Sequence, residues 1–397
     1  MPRADPKLYF STKSFEQVAD PKVVELWRRE QFEQRTPEWF EARMKGISAS
    51  DCALALTMND AACDYYIESF GLHDTFKKNP KKCANHYSTN GKKEIILKKC
   101  KRTDTSSSFS NPFMLWGQKY EPIVQTIYSQ MRNEDVLEYG LLFHPTVPFL
   151  MASPDGITTS GTMLEIKCPT KRPVGPVPPL HYFHQMMMQL ECCGLAECDF
   201  FDCSFIEYLF DDEWLSDAQR WWNSSEGGRH HIFGILLSNG SGVYTYAPPT
   251  VFSPSDFLAW ANSEIERALV EDEIELERVY YKLEKYELVR IKYTPEFLTL
   301  NLPAFSEIWE KITYYRSPEG EADFIAFEND TPSARKAAAD AKQTKLDQFF
   351  SADTGKEEPS ASTLTINMNL GDIVVSKETP AKRGRKAVPP FVDVCLC

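Results

Sequence analysis

One short segment limits the fold of this chain more than any other feature. In Leu164-Glu165-Ile166-Lys167-Cys168-Pro169 side chains alternate, so Glu165 and Lys167 share one face of a strand while Leu164 and Ile166 enter a core on the other. Upstream, the apolar run Phe149 to Ser153 ends in Ser153-Pro154-Asp155-Gly156, a tight turn that can bring Asp155 alongside Glu165. Two carboxylates converging at a strand end repel unless a cation lies between them, and hard oxygen ligands select Mg²⁺ or Mn²⁺. Such an ion lowers the pKa of a bound water from about 15.7 towards roughly 7 in the best cases. Lys167 then helps orient or deprotonate that water and offsets charge building on a phosphate. A solvated surface strand often carries Glu-x-Lys too, but here apolar residues flank the pair on both sides.

With 397 residues, 42% hydrophobic and 13% aromatic, the chain has material for one large α/β domain with appendages, or for two small domains. No run of eighteen apolar residues occurs and the first residues lack signal-peptide character, so the expectation is a soluble intracellular protein with no membrane partner. The 11 cysteines include no CxxC pair, which argues against a zinc ribbon, an iron–sulfur cluster or a disulfide scaffold. They read as reduced, mostly buried thiols. Net charge is −13, yet residues 77–102 carry Lys77, Lys78, Lys81, Lys82, Lys92, Lys93, Lys98, Lys99, Lys101 and Arg102 against the single acid Glu94. A solvated loop and a phosphate-tracking surface both fit that segment.

Proline and polar punctuation predicts helices starting at Asp20-Pro21, at Thr36-Pro37, near Ser48 or Ser50, at Asn111, over 180–194 and from Pro254 to about Arg267. Strands are predicted over Leu137–His144, Phe149–Ser153, Met163–Cys168 and Cys198–Leu209, with a hairpin about Asn239-Gly240. The expected class is α/β (α+β), with a mixed β-sheet flanked by helices. The expected divisions are an N-terminal extension over 1–19, a catalytic domain over 20–320 and a disordered tail over 328–397, where Phe349, Phe350 and Phe391 are the only aromatics. Trp39, Trp116 and Met186–Met188 read as core packing, and His184 as a structural or DNA-contacting side chain.

Asp155 followed by Glu165-x-Lys167 resembles the PD-(D/E)XK nuclease signature, and SPDG with LEIKCP resembles the YqaJ-type, lambda exonuclease-like viral recombinase family. Three further segments agree in order: Trp39 to Ser50 with Arg43 and Gly46, Leu115-Trp116-Gly117-Gln118-Lys119-Tyr120-Glu121, and Tyr182-Phe183-His184-Gln185 through Leu190. The likeness spans about residues 36–210 and extends loosely to about 317. It is closer to nuclear or large DNA virus versions than to bacteriophage ones.

The resemblance implies a restriction-endonuclease-like core and a hydrolase, a Mg²⁺- or Mn²⁺-dependent deoxyribonuclease. Asp155, Glu165 and the Ile166 carbonyl would be metal ligands, with Glu121 holding the metals or their waters. Gln185 would position the water or the scissile phosphate. Arg43 and Ser50 would bind a terminal 5′-phosphate, with Lys92, Lys93, Lys98 and Lys99 adding DNA contacts. Expected partners are double-stranded DNA ends, a single-strand annealing protein and further copies of the chain as a homo-oligomer. The leading expectation is a 5′-to-3′ exonuclease of recombination, repair or replication. The alternatives are a flap- or lesion-processing endonuclease with the same site, or a catalytically silent DNA-binding clamp adaptor.

In the tail, Gln343-Thr344-Lys345-Leu346-Asp347-Gln348-Phe349-Phe350 resembles the box that binds PCNA-type sliding clamps, with Gln343, Leu346, Phe349 and Phe350 as its contacts. Lys382-Arg383-Gly384-Arg385-Lys386 fits a nuclear localisation signal, a minor-groove hook or a solvated charge run; the first is preferred and gives nucleus or viral replication compartment as the expected location.

Overall fold

Asp20, Thr36, Asn111 and Ser253 each precede a proline, and each caps a helix. Their side chains accept from the amides of Lys22, Trp39, Phe113 and Asp256, starting helices Pro21–Arg28, Pro37–Arg43, Pro112–Arg132 and Pro254–Glu271. Proline at the first turn loses no needed hydrogen bond, because that amide has no intrahelical partner. The computed structural model describes residues 3–56, 61–74, 91–100, 111–225, 232–330, 336 and 340. The chain divides into two units, Met1–Asp330 and Thr331–Cys397, and every element below belongs to the first. The clamp-type box, the basic run and most of the lysine-rich stretch 77–102 lie outside the described residues.

The strands are β1 (Ile47–Ser48), β2 (Val136–Leu137), β3 (Leu142–Phe143), β4 (Leu150–Ala152), β5 (Gly156–Thr158), β6 (Met163–Lys167), β7 (Glu197–Tyr208), β8 (Phe233–Ser238), β9 (Tyr244–Tyr246) and β10 (Glu277–Lys292). Seven form one mixed sheet in the order β2-β5-β6-β7-β10-β8-β9, and β1-β4-β3 form a second, smaller one. β6 and β7 are parallel, joined by helix Leu180–Cys193, while the other pairs of the large sheet are antiparallel. The fold is therefore α/β with a mixed sheet flanked by helices, as the sequence predicts.

The two faces of β6 go where alternation sends them. Leu164 and Ile166 pack beneath helix Pro112–Arg132, against Tyr120, Ile123, Val124 and Tyr128. Met163 faces the opposite core with Met186, Met187, Met188 and Phe200. Burying the side chains of such a layer contributes roughly 1.5–3 kcal/mol each. That layer holds β6 rigid under its two charged residues.

One expectation needs correction. The run Leu137 to His144 is not one strand: β2 joins the large sheet and β3 the small one. Within the N-terminal extension, Phe15 is buried in the core and Asp135 accepts from the Tyr9 and Phe10 amides. Helix Glu321–Asn329 continues the first unit, which reaches Asp330.

Candidate active site

Asp155 lies between β4 and β5, and its placement is over-determined. Trp39 donates its indole N–H to Ser153 Oγ at 3.0 Å, Gln34 its amide to Pro154 O at 3.1 Å, and Gln125 its amide to Asp155 O. Asp155 Oδ2 then accepts from the Ile166 amide at 2.7 Å, tying the loop to β6 next to Glu165. The sequence reading gave Trp39 to the core. It is buried there, but it also orients the loop that carries a carboxylate.

Glu165 is fully buried and surrounded by donors. Lys167 Nζ and Gln185 Nε2 (2.7 Å) donate to Oε1, and Gln189 Nε2 donates to Oε2 at 2.8 Å. Burial, followed by the charge of Asp155, raises its carboxyl well above the usual carboxylate range. Glu121, reaching in from helix Pro112–Arg132, is raised by the same two causes, opposed by Arg35 at 2.6 Å. Burial works against the charge of Lys167, yet Glu165 and Asp155 outweigh it and hold the ammonium above the usual lysine range. Lys167 also donates to the Ile166 carbonyl at 2.9 Å and lies 5.0 Å from the centre of the Tyr182 ring.

These groups meet in one cleft of about 620 Å³. Among its walls are Arg35, Arg43, Ser50, Lys98, Glu121, Asp155, Ile166, Lys167 and Gln185, with Glu165 buried just beneath. The donor set is hard: three carboxylates and one carbonyl line or underlie one cleft, and both glutamates are raised by burial and by the neighbouring charge of Asp155. That chemistry fits Mg²⁺ or Mn²⁺. Among the described residues no three His, Cys, Asp or Glu side chains are already gathered as a ligand cage. Lys167 and Arg35 take up the carboxylate oxygens instead.

At the other end of the cleft, Arg43 donates to Ser48 Oγ at 3.0 Å and Ser50 Oγ at 2.7 Å, and its guanidinium lies 4.3 Å from the centre of the Trp39 ring. Gly46 makes this loop possible. A Cβ there would stand 2.3 Å from Phe149 O, where the Ile47 amide must close its 2.7 Å bond to that same carbonyl. Beneath lies Asp51, paired with Lys98 at 2.6 Å and Lys99 at 3.0 Å.

The four lysines proposed for DNA therefore separate. Lys98 is half exposed and lines the cleft. Lys99 is buried and donates to Arg43 O at 2.7 Å, so it braces the loop from within rather than offering charge to a ligand. Lys92 pairs with Glu307 and Lys93 with the Asp330 carbonyl, and neither lines the cleft. A run of lysines on one helix turns them through different directions, which counting charges does not reveal. His184 is fully buried, and burial pushes it down to about 3, so it is a neutral core residue and not a DNA contact.

Residues 38–196, from helix Pro37–Arg43 to the end of the β6–β7 crossover, match the family described as the YqaJ-like viral recombinase domain. This stretch is similar to YqaJ-like viral recombinase domains. A protein of Acanthamoeba polyphaga mimivirus, itself uncharacterised, is 26% identical over 330 residues, covering 74% of this chain and 55% of that protein. The chain thus spans about half the length of that relative. Among solved structures, an alkaline exonuclease from Laribacter hongkongensis is 19% identical with a TM-score of 0.36, covering 71% of this chain and 96% of that one. The same enzyme in complex with dAMP gives 20% identity and a TM-score of 0.34, covering 77% and 99%.

The matched residues 38–196 contain every residue lining the cleft except Gln34 and Arg35, which stand just before them. Sequence reading missed both, along with Gln125, Asp51 and Gln189. Each acts through a partner far away in sequence, and only the spacing of Gln189, four residues after Gln185 on one helix face, was visible beforehand. Arg35 has φ +70, a left-handed backbone that a non-glycine residue adopts at a cost, and this turn aims it at Glu121.

Proposed function

We propose that this chain is a metal-dependent deoxyribonuclease, a 5′-to-3′ exonuclease acting on duplex ends in recombination, repair or replication. The observation that carries the reading is that the carboxylate–lysine cluster and the Arg43–Ser50 anion pocket open into one cleft. Asp155, Glu165, Glu121 and the Ile166 carbonyl would hold Mg²⁺ or Mn²⁺, which supplies Lewis-acid polarisation of the phosphate and a more acidic water. Lys167 brings a fixed ammonium to the phosphoryl oxygens, in a site partly shielded from solvent where it needs no reorganisation. Gln185, at the mouth, orients the attacking water or the phosphate. Arg43 and Ser50 receive the terminal 5′-phosphate, the guanidinium offering paired N–H donors, and Lys98 adds charge beside them.

The test is digestion of 5′-phosphorylated, 5′-hydroxyl and circular duplexes with Mg²⁺ or EDTA. Metal-dependent loss from linear 5′-phosphorylated ends is expected. Cutting of the circle would instead mean an endonuclease with the same site, and no cutting under any condition a silent DNA-binding clamp adaptor. Within this reading, Arg43→Ala should slow digestion of 5′-phosphorylated ends roughly tenfold to a hundredfold more than 5′-hydroxyl ends. That follows from a charge-assisted contact worth about 1.5–3 kcal/mol made only to the phosphate. Equal slowing of both would make Arg43 a structural residue.

The tail extends the reading to a nuclease tethered to a sliding clamp. Gln343-Thr-Lys-Leu-Asp-Gln-Phe-Phe would dock there, and Lys382, Arg383, Arg385 and Lys386 would direct the chain to the nucleus or a viral replication compartment. Each buried Phe contributes roughly 1.5–3 kcal/mol, so replacing Phe349 and Phe350 with alanine should weaken clamp binding by well over tenfold. A peptide of residues 338–355 titrated calorimetrically into the clamp checks this. No saturable binding at high micromolar concentration would remove the tether from the proposal.

A further inference from the structure

Helix Leu180–Cys193 buries Met186, Met187, Met188 and Leu190 completely, and among them it also buries an amide, Gln189. An amide taken out of water destabilises the fold unless its polar atoms find partners. Gln189 Nε2 does: it donates to Glu165 Oε2 at 2.8 Å and to Ser153 O at 3.3 Å. Its carbonyl oxygen, equally buried, has no hydrogen-bond partner among the described residues. Turning the amide over brings no relief, because Oε1 would then face a carboxylate oxygen and a backbone carbonyl, acceptor against acceptor. The orientation is fixed by its surroundings, and Gln189 is among the residues that line the cleft.

One helical turn earlier Gln185 donates to the other oxygen of the same carboxylate, at 2.7 Å. Two amides at i and i+4 therefore grip Glu165 by both oxygens. Gln189 does one thing more than Gln185: it also holds Ser153, two residues before Asp155. It spans the two segments that bring Asp155 and Glu165 together.

We propose that Gln189 is a positioning residue for the cation site. It sets the separation of Asp155 and Glu165 and presents its free carbonyl to a hydrogen-bond donor that enters with the ligand, such as a water of a divalent ion. The inference rests on the metal-dependent reading above. Glu165 has no freedom to turn, so a ligand meets an oxygen already aimed.

The experiment uses the full chain, with Mn²⁺ alone as the probe. Calorimetric titration of the wild type, Gln189→Met and Gln189→Asn should give Mn²⁺ affinity lowered roughly tenfold to a hundredfold in both variants, the range expected when an outer-shell partner of a metal ligand is lost. Methionine keeps the length and volume of the side chain without its donor. Asparagine keeps the amide but cannot reach Glu165, so it serves if Gln189→Met does not fold. A lowered melting temperature with wild-type Mn²⁺ affinity would make Gln189 merely structural and overturn the inference. Wild-type protein that binds no Mn²⁺ would instead bring down the metal-dependent reading, and this inference with it.

Discussion

Replacing Glu165 with alanine is expected to lower Mg²⁺-dependent cleavage of duplex ends by at least about a thousandfold, close to 4 kcal/mol of barrier, while duplex binding survives. Glu165 is the one carboxylate of the site with no exposure at all, held by three separate donors. Nothing else in the cleft can take over its position, since Asp155 is committed to the Ile166 amide and Glu121 to Arg35. Losing it also leaves Lys167 with Asp155, 3.9 Å away, as its remaining carboxylate beside the Ile166 carbonyl, so the ammonium loses its nearest charge partner. Binding of DNA should persist because Arg43, Ser50 and Lys98 lie at the other end of the cleft and share no bond with Glu165. Single-turnover cleavage beside a fluorescence anisotropy titration separates the two effects. Near-normal cleavage by the variant would remove Glu165 from the site.

Much of this cleft was legible because its grammar is local. Alternation along β6 separates Glu165 and Lys167 from Leu164 and Ile166 whatever the rest of the chain does, and the turn at Asp155-Gly156 returns the chain beside it. Helix starts were equally legible, since a cap and a proline act within one turn. What stayed hidden depends on distant partners. β5, only three residues long, was absorbed into the turn because its pairing with β2 and β6 leaves no periodic trace over so short a span. The small sheet β1-β4-β3 joins residues about a hundred positions apart, and short apolar runs do not announce which sheet they enter. The basic segment misled most. In Lys98-Lys99 adjacent side chains differ by about 100° around the helix, so one faces the cleft and its neighbour the core.

That buried neighbour yields the other large effect. Asp51→Asn is expected to destabilise the first unit by about 3–5 kcal/mol at pH 7, the usual consequence of leaving a buried charge without its partner. Both side chains of the Lys99–Asp51 pair are about 1% exposed, so solvent does little to screen the loss. Burial lowers Lys99 to about 8 even with Asp51 opposing it, and without Asp51 it must fall further. The unfolded lysine keeps its ordinary value of about 10.4. Between those two values the unfolded chain binds more protons than the folded one, so stability rises with pH. The variant should therefore regain stability steadily from pH 7 towards pH 10, whereas any rise in the wild type begins only near pH 8. Denaturant titrations at pH 7 and pH 9.5 measure this directly, and a deficit of equal size at both would mean that Lys99 is not the source of the loss. The same variant should loosen the Arg43–Ser50 pocket proposed for the DNA end, because Lys99 Nζ holds the carbonyl of Arg43 and Asp51 accepts from Ser48 at 2.7 Å. Selectivity for 5′-phosphorylated over 5′-hydroxyl ends should fall at pH values where the variant is still folded. Stability and the proposed end recognition then depend on one buried ion pair that no open surface reveals.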